Sequence, residues 1–189
     1  VTACNQASTD GGGSTSYWAN AYPSAKTETP KEVITSADGG YLVVGERMDP
    51  STERLNIWAV KLSSSGSVEW GNTYDASSRD EVAGAFQTND GGYIIGGDSL
   101  VGDSTGAEHD ALVMKIGTDG EIGWATALDL DFDRTDNSNG TAFYVHLLKE
   151  NLAGDVLLGG TATIDSSQIG GDALEPMVVE VTTGGVPTA

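Results

Sequence analysis

The feature that most constrains this chain is a stretch that occurs twice, as Ala37-Asp38-Gly39-Gly40-Tyr41-Leu42-Val43-Val44-Gly45 and as Asn89-Asp90-Gly91-Gly92-Tyr93-Ile94-Ile95-Gly96-Gly97. Asp-Gly and Gly-Gly pairs let the backbone reach positive φ without a Cβ clash, and the aromatic and β-branched run that follows suits a pleated, half-buried surface. Each copy therefore reads as a hairpin turn feeding an inner strand. The match continues in phase on both sides. Asn56 to Leu62 leads to Gly66 and Trp70, and Asp110 to Ile116 leads to Gly120 and Trp124. Lys61 to Trp70 and Lys115 to Trp124 are both nine positions, and Trp18 to Tyr41 matches Trp70 to Tyr93 at twenty-three. A third, worn copy follows in Thr141 to Leu148, Gly154 to Gly160 and Pro176 to Val181, with Glu180 in the place of the repeated Lys.

Repeats of this period built only of short strands belong to arrays in which one unit cannot bury its own face and stacks on its neighbours. The middle copy offers four strands, near 81–87, 93–98, 110–116 and 121–128. Four antiparallel strands per unit describe a propeller blade. At this point the chain resembles the β-propeller repeats of secreted and surface bacterial and archaeal proteins, through its Asp-Gly-Gly-Tyr turn, Val-Lys-Leu strand and Gly-x-x-x-Trp closing strand. The Trp placement is similar to the tryptophan-docking repeat of quinoprotein propellers. The resemblance covers nearly everything from Tyr17 onward and is specific for fold alone. It implies an all-β array of about three four-stranded antiparallel blades, with repeats near 17–70, 71–124 and 125–189.

The phase of the repeat carries a further expectation. Tyr17 to Tyr22 has the place of a lone fourth strand, whereas the last copy supplies only the first three. An open edge there would be a pairing hazard. The N-terminal strand is the expected cover, either within the same chain or donated to a neighbouring copy. Sharing between two chains would build a six-bladed ring, and a rotation that does not close would build a filament. The alternative is that these residues are part of a larger propeller, including a larger propeller enzyme.

Composition narrows the partners. Nine Lys and Arg against 28 Asp and Glu give a formal charge of −19. Nucleic acid is excluded as a natural partner, because phosphate contacts need a basic footprint. No apolar run approaches the roughly 18 to 20 residues of a membrane helix. The single cysteine leaves no internal disulfide and no zinc cluster. Cys4, in Val1-Thr2-Ala3-Cys4, resembles the end of a bacterial lipoprotein signal, where small residues precede a lipidated Cys. That would place the protein outside the cell or at its surface, with membrane contact only through the lipid, and residues 1–16, rich in Ser, Thr and Gly, as a tether. Against the match stand the missing hydrophobic segment and the three residues before Cys4.

Chemistry is thin by comparison. Residues 23–33, with Pro23 and Pro30, read as a loop, and Glu46 to Asn56 as a solvated run of mixed charge. Asp98 to Asp110 and Asp129 to Gly140 are acidic connections expected on one face of the array. Asp129, Asp131 and Asp133 alternate as an EF-hand loop begins, but Arg134 takes the place of its turn glycine and no Glu closes the loop. A looser calcium site would use Asp131, Asp133, Asp136 and Asn139; the competing reading is a half-buried strand whose Asp side chains face water. His109 and His146 lack the company of a nucleophile, and no Gly-x-Ser-x-Gly elbow occurs, so no catalytic residue is assigned. Trp18, Trp70 and Trp124 read as rings that dock one unit on the next, with Trp58 open to a sugar-stacking role. The expected function is a non-enzymatic scaffold or interaction module that self-assembles; the alternative is a carbohydrate- or calcium-binding propeller.

Overall fold

The computed structural model describes residues 3–4, 19–22, 26–76, 79–101, 108–128, 143–164 and 173–182. The chain forms β1 (Ala3–Cys4), β2 (Ala19–Asn20), β3 (Thr27–Thr35), β4 (Tyr41–Met48), β5 (Leu55–Leu62), β6 (Val68–Tyr74), β7 (Arg79–Gln87), β8 (Tyr93–Val101), β9 (Glu108–Ile116), β10 (Ile122–Leu128), β11 (Phe143–Glu150), β12 (Val156–Ile164) and β13 (Ala173–Val181). The described residues contain no helix. Strands β3 to β6 make a first four-stranded sheet, β7 to β10 a middle four-stranded sheet and β11 to β13 a third, three-stranded sheet, each antiparallel in sequence order.

The repeated glycines do what their context predicts. Gly39, Gly91 and Gly154 sit at positive φ in the turns before β4, β8 and β12, and Gly66 and Gly120 do the same before β6 and β10. In each turn an amide donates to the carbonyl three residues back, and the flanking pair closes the hairpin, as Ser36 and Gly40 do. This is a type I turn ended by a left-handed residue, which a Cβ would penalise.

The sheets stack. One apolar cluster joins Leu42, Val44, Ile57 and Ala59 of the first sheet to Tyr93, Ile95, Leu112, Met114 and Ile116 of the middle one. A second joins Ile94, Ala111 and Val113 of the middle sheet to Phe143, Val156, Leu158 and Val181 of the third. Both faces of the middle sheet are thus buried. That explains why β8 and β9 read as nearly unbroken apolar runs instead of alternating. Strand β7 packs against both β3 and β11, so the leading strands of the three sheets converge.

Two expectations are corrected. Residues 27–35 are strand β3, with Pro30 inside it and a bulge between Pro30 and Glu32. Proline is tolerated because β3 is an edge strand and the bulge sits at the proline, so no ladder hydrogen bond is lost. The N-terminal strand also does not complete the third sheet within the chain. Instead β2 pairs with β1, Ala19 opposite Cys4 and Asn20 opposite Ala3, while β13 pairs with β12 among the described residues. The Asn20 side-chain amide and the Tyr22 hydroxyl both donate to the Gly66 carbonyl, at 3.0 and 2.7 Å, which fixes this segment on the first sheet, one whole sheet away from the third. The strand expected in the third repeat is borne out as β11.

Candidate functional site

The three leading strands carry the same irregularity. The bulge falls between Pro30 and Glu32, between Val82 and Gly84, and between Val145 and Leu147, and opposite it stand Gly45, Gly97 and Gly160. This register aligns the sheets residue by residue. Glu46, Asp98 and Thr161 follow the three glycines and occupy one equivalent place.

At that place the first two sheets carry a latch. Glu46, buried at 7 % exposure, accepts the Val82 amide at 3.2 Å through Oε1. Asp98 accepts the Val145 amide at 2.9 Å through Oδ1. Each carboxylate thereby satisfies a backbone donor that the bulge has released in the next sheet, a group costly to leave bare. Glu46 also meets the Lys31 ammonium at 2.9 Å. Beside the first latch, Glu32 Oε2 accepts the Ala85 amide at 2.6 Å. Sequence reading placed Glu46 in a solvated run and missed it; the signal was its phase, one residue past the inner-strand glycine, as Asp98 is.

The outer strands carry a second fastening. From β6 the Trp70 indole donates to the Thr118 carbonyl at 2.9 Å, and Asn72 and Tyr74 donate to the Gly120 carbonyl at 3.0 and 2.8 Å. Burial pushes the Tyr74 hydroxyl up to about 12. Asn20 and Tyr22 repeat the Asn72 and Tyr74 contacts one sheet earlier. The docking role expected of Trp70 is therefore present. Trp124 has the equivalent place in β10 and packs on the second apolar cluster, its indole nitrogen without a partner among the described residues. Trp58 is buried with Val60 and Leu62 beneath Tyr22, which removes it as a sugar platform. Trp18 lies outside the described residues.

Acid and base groups are consumed in turns. Lys61, 2 % exposed, donates to Asp38 at 2.7 Å, to Glu69 at 2.9 Å and to the Leu62 carbonyl at 3.2 Å. Burial works against its charge, but the two carboxylates outweigh it and hold the ammonium's pKa above its ordinary value. Lys115 and Asp90 pair in the same way in the middle sheet, and that ammonium, with Thr88, lowers the Asp90 carboxyl to about 2. In the third sheet Asn151 donates to Glu180 at 2.8 Å, so the swapped charge has a neutral partner. The partners of Lys61 are half exposed and can turn to water, whereas Lys61 cannot. Replacing both, in Asp38→Asn with Glu69→Gln, is expected to cost about 3 kcal/mol, and Lys61→Met under about 1 kcal/mol, by urea unfolding. Equal losses would contradict this asymmetry.

His146 is the residue that bulges from β11, exposed and 3.1 Å from the Thr161 hydroxyl. That is a structural contact on a surface strand. His109 lies in β9, opposite Leu100. Cys4 lies in β1. Asp131, Asp133, Asp136 and Asn139 fall outside the described residues, and among the described residues no three His, Cys, Asp or Glu side chains gather as a metal would require. An open cleft of about 810 Å³ at the turn before β12 is lined by Asn89, Lys149, Glu150, Asn151, Leu152 and Leu157. No nucleophile and base meet there.

The outward side of the third sheet bears Leu147, Leu174 and Val178 at 71, 68 and 72 % exposure. A scan against family models matches no family, and a search of curated proteins finds no match.

Proposed function

We propose that this chain is a β-propeller-type interaction module that works outside the cell or at its surface and assembles with copies of itself by sharing strands. One observation carries the reading. Strand β2 is fastened to the first sheet as β6 is fastened to the middle one, through an Asn and a Tyr on a turn glycine, yet its only ladder among the described residues is the two-residue pairing with β1. The third sheet offers the complement, a long β13 with one edge unoccupied by any described strand. Adding a strand to such an edge gives main-chain hydrogen bonds for affinity. A non-enzymatic role accords with Glu46, Asp98, Lys61 and Lys115 each being engaged in fastening a strand or a turn.

The register is fixed by the other sheets. Tyr74 faces Ile57 and Asn72 faces Ala59, so Tyr22 would face Pro176 and Asn20 would face Val178. Light scattering is expected to give a multiple of the 19.5 kDa chain mass, and deletion of residues 1–22 to reduce it to one. Because that deletion uncovers Trp58, a second variant guards the result. Ala19→Cys with Val179→Cys, on a Cys4→Ser background, should form disulfides between chains, seen as a ladder without reductant. A single-chain mass for the intact protein, or a disulfide confined within one chain, would overturn the proposal.

A further inference from the structure

The two ends of the stack differ from its interior in a matched way. At each internal seam a carboxylate meets an amide: Glu46 meets Val82, and Asp98 meets Val145. The equivalent acceptor on the outward side of the third sheet is Thr161, which has no carboxylate and is in contact with His146. The equivalent donor on the outward side of the first sheet is Pro30, which has no amide hydrogen. Acceptor and donor are missing together, so bringing these two sides into contact strands neither.

The neighbouring positions match as well. Glu32 and Ala85 meet at the first seam, and Gly84 takes Leu148 at the second. The same places at the two ends hold Leu147 and Val33, both apolar and exposed at 71 and 63 %. Val178 stands where Ala59 and Val113 stand, and those two are fully buried by the sheet that follows them. The first sheet's outward side is already covered at its β5 half, where Tyr22 packs over Trp58, Val60 and Leu62, and stays open at its β3 half, around Val33. A docked β2 with an uncovered β3 half is the shape left when a fourth strand has been supplied and the first three have not.

We infer that the outward side of the third sheet seats the β3 half of the first sheet of a second copy, in a latch-free seam where Leu147 meets Val33 and Thr161 meets Pro30. This rests on the strand-sharing reading and adds the face-to-face contact and its chemistry. The seam buries apolar side chains without a carboxylate–amide bond, so it is the reversible joint of the assembly, and the internal seams are its permanent ones. Burial of apolar area supplies the attraction.

Two variants test it, read by the dissociation constant of the assembly from dilution light scattering. Leu147→Glu with Val178→Glu places charges on a face that is exposed in the single chain; the fold, followed by thermal melting, should persist while association weakens at least tenfold. Thr161→Glu with Pro30→Val supplies acceptor and donor together, and association should tighten about tenfold, in keeping with a hydrogen bond to a charged group. Thr161→Glu alone should not tighten it. If the wild-type chain assembles and neither double variant changes its constant, or only one behaves as described, this seam is wrong while strand sharing stands. A wild-type protein that stays a single chain overturns both.

Discussion

Gly97→Ala is expected to cost about 3 kcal/mol or more, because the added methyl overlaps the Glu81 carbonyl oxygen and also meets the Ala83 backbone. The cause is the bulge. It presses the leading strand toward the inner strand at one point, and only a residue without Cβ fits opposite. The same holds at Gly45 against Thr29 and at Gly160 against Tyr144, so three substitutions form one series with one cause. None of these glycines has positive φ, which makes the penalty steric and not conformational. Gly123→Ala is the control: its nearest neighbour would be the Lys115 carbonyl at 3.6 Å, an ordinary contact, and its effect should stay within about 0.5 kcal/mol. Chemical denaturation reads all four, and a Gly97→Ala protein as stable as wild type would show that the strands can separate there at no cost.

Asp80→Ala is the second large effect, expected near 3 kcal/mol. Asp80 is fully buried at the start of β7; its Oδ2 accepts the Ala76 amide at 2.9 Å, and its Oδ1 accepts the Ser99 hydroxyl at 3.3 Å. Truncation leaves a cavity and uncompensated donors, and both losses act together. Ser99→Ala removes one neutral partner and should cost about 1 kcal/mol. The equivalent pair in the first sheet is Glu28 with Arg47, and in the third it is Phe143 opposite Ala162. One position thus carries an ion pair, a hydrogen bond and an apolar contact in successive sheets. A urea midpoint for Asp80→Ala no lower than that for Ser99→Ala would contradict this account.

The repeat made the strand order legible, since turn glycines and apolar runs respond to local backbone geometry that a sequence displays. Pro30 was misread because the rule that proline breaks a ladder holds for central strands, and nothing local reveals that β3 is an edge with a bulge. Glu46 was missed for a related reason: in a run of mixed charge its neighbours suggest solvent, whereas its burial is set by a strand of the next sheet. The pairing of Ala3–Cys4 with β2 was equally hidden in a stretch whose composition reads as tether. The docking of Trp70 and Trp124 was legible because a large ring at a fixed phase has few other uses. The proposed calcium residues belong to a connection outside the described residues, and the argument for them remains one of composition.

The middle sheet alone has both an amide to give, at Val82, and a carboxylate to receive with, at Asp98. A tandem duplication of that unit would therefore find its chemistry matched on both sides, and the protein could lengthen from within. Duplicating the first unit would set Glu46 against an imide nitrogen, and duplicating the third would leave Val145 facing a hydroxyl. Matched latches therefore favour duplication of the central unit, whereas the two outer units carry the halves of the latch-free seam.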